Sequence, residues 1–214
     1  MSSRGAGVTR AGLGLEQDLW GAGYRAVAGV DEAGRGAWAG PVVAAAVILP
    51  AEAARLQPLL GVVDDSKRLT PAARGRCFDL IVCHAIATGV GSAPAQEVDR
   101  LGIAPATLEA MRQALGELGV PPDFVLVDYL TLPGVRCPQR GVIHGDAISL
   151  SIAAASVLAK VTRDRWMSEY GAVYAPYGFA RHKGYGTAEH RAALERLGPC
   201  PLHRLTFRPV ADMR

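Results

Sequence analysis

The 214-residue sequence lacks the signatures of several protein classes. Its four cysteines include no Cys-X-X-Cys pair, and their spacing suits neither a structural zinc site nor a disulfide framework. Residues 1–17 hold no apolar run, which argues against a secretory signal. The longest apolar stretch, residues 39–49, is too short to cross a bilayer. We therefore expect a cytoplasmic protein with reduced thiols and no membrane partner.

The low content of charge argues against disorder. Charged residues make up 20% of the chain and hydrophobic residues 50%, so a sizeable core can form. The net charge is only +3, but residues 160–208 hold nine Lys or Arg against four Asp or Glu. This basic portion indicates an anionic partner such as a nucleic acid. A solvated basic face with no partner is the alternative.

Strands alternate with helices along the chain, which predicts an α/β or α+β sheet domain. Apolar runs at residues 26–30 and 42–49 predict two strands, and the glycine-rich segment between them predicts an antiparallel hairpin. Further strands are predicted at residues 84–91 and 124–127. Helices are predicted at residues 15–20, 71–81, 94–101, 105–118 and 187–197, and a long helix is predicted to follow Asp146 and to reach about Tyr170. Residues 130–141 and 175–183 are predicted to be loops.

Four acidic residues stand where a sheet would bring them together. Asp31 and Glu32 are adjacent at the end of the first strand, and Asp128 ends a later one. Carboxylates at the ends of neighbouring strands converge on one edge of a sheet. Asp146 precedes the long helix, where an N-cap is the ordinary alternative. Carboxylate oxygens suit Mg²⁺ or Mn²⁺ rather than zinc, and two such ions support phosphodiester cleavage. Polar strand ends or turn acids are the alternative for the other three.

Three further motifs combine backbone freedom, positive charge and an aromatic ring. Gly34-Arg35-Gly36 lets the backbone approach a ligand closely, although an ordinary hairpin turn explains it equally well. Lys67 lies in a polar loop, where it can meet a phosphate or remain solvated. The segment 181–185 joins basic residues to a glycine and Tyr185, a mixture typical of stacking on a sugar or base. A surface tyrosine is the alternative.

Several segments of the chain match one family in order. The matching segments are residues 28–36 (AGVDEAGRG), 39–43 (AGPVV), 65–69 (DSKRL), 127–128 (VD), 145–164 (GDAISLSIAAASVLAKVTRD) and 177–185 (YGFARHKGY). Over about residues 26–210 the chain resembles the ribonuclease HII family of bacteria. Two departures are Ala37-Trp38, where many members have Pro-Leu, and His144, where members often have Lys.

The resemblance implies a fold and a division of the chain. The implied fold is ribonuclease H-like, a five-stranded mixed sheet flanked by helices, with a helical C-terminal extension. We expect a partly flexible lead over residues 1–23 and a catalytic domain over residues 24–170. Residues 171–214 would form the extension and contribute to substrate binding. The protein is expected to be a monomer.

The resemblance also implies an activity. Members cut the RNA strand of RNA–DNA hybrids endonucleolytically and cut at single ribonucleotides within duplex DNA, leaving 5′-phosphate and 3′-hydroxyl ends. By resemblance, the metal-binding acids are Asp31, Glu32, Asp128 and Asp146. Gly34, Arg35 and Gly36 would contact the ribose 2′-hydroxyl through their backbone. Tyr185 would contact that hydroxyl and pack on the next deoxyribose, and Lys67 would contact a phosphate.

Two other functions remain open at this stage. One is a different polynucleotide phosphotransferase on the same kind of sheet, such as an exonuclease, because four-acid sites recur and a fold alone does not fix a function. The other is a module that binds RNA–DNA hybrids without cutting them. Incubation with a duplex that carries one internal ribonucleotide distinguishes these possibilities.

Overall fold

A computed structural model of the chain describes residues 11–64, 66–67 and 69–213. Within those ranges the strands are β1 (Val27–Ala33), β2 (Val42–Ile48), β3 (Ala87–Ala93), β4 (Phe124–Asp128) and β5 (Gln139–Val142). The α-helices there are α1 (Gly14–Gly21), α2 (Pro71–His84), α3 (Ala95–Leu101), α4 (Ile103–Gly116), α5 (Leu150–Val173), α6 (Phe179–His182) and α7 (Ala188–Leu197). No helix of the described residues is long and apolar enough to cross a membrane.

The strands form one mixed sheet in the order β3-β2-β1-β4-β5. β2 pairs antiparallel with both β1 and β3, which confirms the predicted hairpin. β4 lies parallel to β1 on its other side, and β5 lies parallel to β4. The five-stranded mixed sheet of the predicted fold is therefore confirmed. Because β1 and β4 run in parallel, their carboxyl ends lie at the same edge.

Helices cover both faces of the sheet. α5 packs on one face with α2, where alternate residues of β2 such as Ala45 and Val47 are buried. α4 packs on the other face against Ala44, Ala46 and Ile48. β2 is buried along its whole length, as expected for a continuous apolar run that lies between two helical layers. The two cores hold the acid-bearing end of β1 rigidly.

α5 approaches the sheet so closely that its main chain lies against β1. A Cβ atom at Gly29 would overlap the main chain of Ser151. α1 in turn is tied to the start of α5, because the buried Glu16 carboxylate accepts hydrogen bonds from Ser149 Oγ and from Ser151 N. Residues 1–10 of the predicted lead lie outside the described residues.

The predicted loop over residues 130–141 is wrong at its end, because β5 begins at Gln139. This edge strand is short and has one buried residue, Val142, so it lacks the apolar alternation that indicates a strand. The predicted loop over residues 175–183 is also wrong in part, since it contains α6. α6 is bounded on each side by a residue with left-handed backbone, Gly178 and Lys183.

The long helix follows Asp146, as predicted, but does not begin directly after it. Its N-cap is Ser149, whose hydroxyl accepts a hydrogen bond from Ile152 N at 3.2 Å. Asp146 lies instead in a separate 3-10 turn, Gly145–Ala147. The N-cap alternative for Asp146 is therefore wrong, and its carboxylate is available for other partners. The chain continues past α5 into the helices α6 and α7, the helical C-terminal part that the resemblance implies.

Candidate active site

The four predicted acids lie around one edge of the sheet. Val30 pairs with Val127, so Asp31 and Asp128 follow at the adjacent ends of parallel strands. Glu32 is the next residue of β1. The main-chain N–H of Gly145 donates a hydrogen bond of 2.7 Å to Asp128 Oδ1, which holds the 3-10 turn of Asp146 beside Asp128. Two strand ends and one turn thus bring together carboxylates that are up to 115 residues apart.

Burial and mutual repulsion act on these carboxylates. Burial, followed by the charges of Glu32 and Asp128, raises the pKa of Asp31 well above its usual range. Burial also raises the pKa of Glu32, against the opposing effect of Arg35. The pKa of Asp128 is raised chiefly by burial, although the bond from Gly145 lowers it. A group of acids that repel one another in a partly dry site favours a cation among them.

Two side-chain cations approach this group. Lys67 Nζ lies 3.0 Å from Asp146 Oδ2, and Arg35 Nη1 lies 3.1 Å from Glu32 Oε1. In the described residues, no three His, Cys, Asp or Glu side chains are arranged as they stand so that they could hold a metal ion. The donor set fits Mg²⁺ or Mn²⁺ in its chemistry, since it offers hard carboxylate oxygens whose repulsion Lys67 and Arg35 offset only in part.

A cleft of about 260 Å³ opens beside the acids. We call it the acid cleft. Its lining includes three predicted acids and every predicted substrate-binding residue: Asp31, Glu32, Asp128, Gly34, Arg35, Gly36, Lys67 and Tyr185. Asp146 reaches the cleft through its bond to Lys67. The structure therefore gathers all nine predicted site residues around one opening.

The glycine turn, residues 34–36, is held by α5. Gly34 has φ +92°, and a Cβ atom there would overlap the side chain of Arg163. Glycine is required at this position on both grounds. Tyr185 lines the same cleft as the turn, with Lys160 Nζ 5.1 Å and Arg163 Cζ 5.2 Å from the centre of its ring. Two cations thus lie within cation–π distance of the phenol ring.

Sequence reasoning missed three polar residues of α5. Ser156 and Lys160 line the acid cleft, and Arg163 supports the turn. Ser156 also accepts or donates a 2.9 Å hydrogen bond with Ser66 Oγ. The three positions follow one another at spacings of four and three residues, so they share one helix face. That polar stripe within a mostly buried helix was the available signal.

A second cleft, of about 540 Å³, adjoins the first and shares Lys160 and Tyr185 with it. We call it the basic cleft. Its lining holds five cations against one carboxylate, Asp164: the cations are Arg74, Lys160, Arg165, Arg181 and Lys183. Most come from the basic portion recognised in the sequence. A polyanion that lies over the acids can continue across Tyr185 into this cleft.

The sheet order and the acids at the adjacent ends of β1 and β4 define a ribonuclease H-like hydrolase. The family model described as ribonuclease HII matches residues 28–210. The chain belongs to the ribonuclease HII family. It is 56% identical over 198 residues to the ribonuclease HII of Roseiflexus castenholzii. That alignment covers 92% of this chain and 88% of the relative.

Solved structures show the same fold. The crystal structure of ribonuclease H2 from Pyrococcus horikoshii OT3 matches with a TM-score of 0.73 at 25% identity, covering 87% of this chain and 96% of that one. Bst-RNase HIII in complex with Mn²⁺ matches with a TM-score of 0.72 at 18% identity, covering 89% and 70%. The protein is a metal-dependent hydrolase that acts on RNA, with the ribonuclease H endonuclease activity of its family.

Proposed function

We propose that this enzyme hydrolyses the RNA strand of RNA–DNA hybrids and also cuts at single ribonucleotides embedded in duplex DNA. The products would be 5′-phosphate and 3′-hydroxyl ends. The observation that carries the proposal is the shared opening: Asp31, Glu32 and Asp128 line the same cleft as the glycine turn and Tyr185. The carboxylates proposed for cleavage and the groups proposed to contact the ribose would therefore act on the same nucleotide.

The metal sites are proposed on Asp31, Glu32, Asp128 and Asp146. When bound, two Mg²⁺ or Mn²⁺ ions supply activation of the attacking water and charge stabilisation at the leaving 3′ oxygen. The raised pKa of Asp31 supports this assignment, because its burial and its neighbours Glu32 and Asp128 leave an unfavourable charge that a cation would relieve. The Mn²⁺ complex of Bst-RNase HIII supports the choice of ions.

Recognition of the ribonucleotide is assigned to Gly34, Arg35, Gly36 and Tyr185. A 2′-hydroxyl is both a donor and an acceptor, so main-chain groups of an exposed turn can distinguish it from a deoxyribose. Arg35 and Gly36 are exposed at the cleft, while Gly34 is buried against Arg163. The Tyr185 ring offers its face to the neighbouring sugar. Lys67 would contact a phosphate after leaving Asp146.

Substrate duplex is proposed to extend from the acid cleft into the basic cleft. The two clefts meet at Lys160 and Tyr185, so one nucleic-acid backbone can pass through both. The C-terminal part supplies Arg181 and Lys183 to this surface. A monomer carries the complete set of groups, and we propose that the enzyme acts as a monomer in the cytoplasm.

The test is cleavage of a labelled DNA duplex that carries one internal ribonucleotide. With Mg²⁺ or Mn²⁺, we expect one internal cut with a 3′-hydroxyl end on the upstream product, and no cut in the matching all-DNA duplex. Trimming from the ends alone would identify an exonuclease. Stable binding of a hybrid without cleavage under either metal would identify a binding module. Either result would overturn the proposal.

A further inference from the structure

Two fully buried arginines contact residues that line the acid cleft, Arg163 at Tyr185 and Arg204 at Arg35. Arg163 of α5 and Arg204 near the C-terminus are both 0% exposed. The hydrogen bonds that their guanidinium groups make within the described ranges go to main-chain carbonyls. Burial, and then the positive charge of Arg163, lower the pKa of Arg204 to about 9. Burying a charged guanidinium costs free energy of folding. We therefore ask what else the hydrogen bonds of these two arginines do.

Arg204 joins the two ends of the segment that contains the glycine turn. Its Nη1 donates to Arg35 O at 2.8 Å, and its Nε and Nη2 donate to Gly40 O at 3.1 and 2.9 Å. The planar guanidinium fork reaches two carbonyls in fixed directions at once, which a lysine ammonium cannot do. Arg204 therefore fixes the position of Arg35 relative to Gly40, which lies two residues before β2.

The preceding residue, His203, is linked to Tyr185. His203 Nδ1 accepts a hydrogen bond from Cys200 N at 2.9 Å, which is shorter than its 3.3 Å contact with Cys200 O, and we therefore assign the ring proton of His203 to Nε2. His203 Nε2 then donates to His190 Nε2 at 3.0 Å. This assigns the His190 proton to Nδ1, which donates to Tyr185 O at 3.0 Å. Burial keeps both rings neutral by lowering the pKa of each to about 4.

Main-chain pairing joins the same three segments. Arg204 N donates to Trp38 O at 2.8 Å, and Trp38 N donates to Gly184 O at 2.8 Å. Ala39 forms an antiparallel bridge with His203. The segment of the glycine turn therefore lies between the C-terminal segment and the residue that precedes Tyr185. Any shift of residues 203–204 would be transmitted to both neighbours.

We propose that the adjacent pair His203-Arg204 sets the distance between the glycine turn and Tyr185, and so determines selectivity for a single ribonucleotide. Arg204 holds the turn through Arg35, and His203 holds Tyr185 through His190. Both are positioning residues, since neither lines the acid cleft. The inference rests on the proposed function, because it assumes that the turn and Tyr185 contact one ribonucleotide and its neighbour.

The first test is Arg204→Lys, which keeps the charge but cannot reach both carbonyls. Arg208→Lys is the matched control in the same segment, where the side chain is 87% exposed. We would measure kcat and KM on a duplex with one ribonucleotide and on an uninterrupted hybrid, together with Tm. For Arg204→Lys, kcat on the single ribonucleotide should fall roughly 10- to 100-fold. The loss on the hybrid should be smaller, because a hybrid offers a 2′-hydroxyl in every register.

A second pair of variants tests the histidine link. His203→Gln keeps one acceptor and one donor and should retain selectivity, whereas His203→Leu should lose it. Equal losses on both substrates, or wild-type selectivity in Arg204→Lys and His203→Leu alike, would overturn the inference. If His203→Leu fails to fold, Arg204→Lys still decides it, because wild-type selectivity in that variant would overturn the inference. Failure of the wild-type enzyme to cut the single ribonucleotide would instead overturn the proposed function.

Discussion

Lys67 and Asp146 form an ion pair at the edge of the acid cleft, with Lys67 Nζ 3.0 Å from Asp146 Oδ2. The lysine side chain is 77% exposed, whereas that of Asp146 is 8% exposed. Lys67 can therefore swing into solvent at little cost, while Asp146 stays in place. In this structure the pair offsets the charge of Asp146. The same lysine is then available to a substrate phosphate.

Lys67→Met should weaken substrate binding without weakening metal binding. A charged hydrogen bond contributes about 1.5–3 kcal/mol, so we expect KM for a hybrid to rise roughly tenfold or more. The Mn²⁺ concentration for half-maximal activity should not rise, because Asp146 loses a competing partner. Steady-state kinetics at varied duplex and Mn²⁺ concentrations measures both. Arg55→Met, which removes an exposed cation that pairs with Glu52, is the control. An unchanged KM would contradict the assigned role of Lys67.

Asp31→Asn should abolish cleavage and stabilise the metal-free fold. The substitution removes a buried charge that is repelled by Glu32 and Asp128, yet keeps an oxygen for the 2.7 Å bond from Glu32 N. Relief of active-site repulsion of this kind contributes roughly 1–2 kcal/mol, or about 2–8 °C in Tm for a chain of this size. Thermal unfolding in EDTA and a cleavage assay measure the two effects. Asp79→Asn, an exposed change on α2, should alter neither.

The stabilisation should depend on pH with a defined sign. Because the pKa of Asp31 is raised in the fold, its protonated form contributes stability below the ordinary value of 3.8. That contribution is lost as pH rises through the raised pKa of the folded state. The free energy of unfolding of Asp31→Asn minus that of the wild type should therefore grow with pH across this window and then level off. Urea titrations in EDTA at several pH values would show it, and a constant difference would contradict a repelled, buried carboxylate.

The predictability of each strand follows from where its side chains lie. β2 was found from sequence because both of its faces are buried, which requires a continuous apolar run. β5 was not found from its residues, and the fifth strand was expected only from the family resemblance. Its segment Gln139–Val142 is polar and gains its conformation from pairing with β4, where Leu126 lies opposite Arg140. Pairing with a partner distant in sequence leaves no local pattern.

The acids were predictable because strand ends leave a local signal, whereas their supports were not. Asp31 and Asp128 each follow an apolar run. Arg163 and Arg204, in contrast, resemble the other basic residues of the C-terminal portion, and sequence reasoning counted them toward an exposed basic surface. Both are buried against the segment before β2, whose main-chain carbonyls accept their hydrogen bonds. For Arg163 that segment lies more than 120 residues earlier in the sequence. Only the folded arrangement separates these two cations from those that face solvent.

Binding of duplex should depend steeply on salt through the basic cleft. Arg165 is exposed in that cleft, with its guanidinium 4.3 Å from the centre of the Phe78 ring. Each phosphate contact contributes a slope of about −0.9 to a plot of log K against log salt. Arg165→Gln should therefore reduce the magnitude of the slope by about one. Arg100→Gln, which removes an exposed cation that pairs with Glu97 on α3, should leave it unchanged. Fluorescence anisotropy in EDTA measures both, and equal slopes for the two variants would exclude Arg165 from the interface.

Tyr185→Ala should impair cleavage at a single ribonucleotide more than cleavage of a long hybrid. Lys160 and Arg163 both lie within cation–π distance of the ring, and these contacts help to hold it in place before the substrate binds. Stacking on an aromatic ring contributes about 1–3 kcal/mol, which corresponds to a loss of roughly 5- to 100-fold in kcat/KM. A long hybrid can bind in many registers, each of which places a ribonucleotide at the site. A duplex with a single ribonucleotide has only one productive register, so it depends more on the lost contact. Tyr185→Phe separates the ring from its hydroxyl: it should keep the stacking and lose only the part that depends on the phenol. If Tyr185→Ala reduced kcat/KM equally on the two substrates, Tyr185 would serve general binding and the selectivity would have to arise from the glycine turn alone.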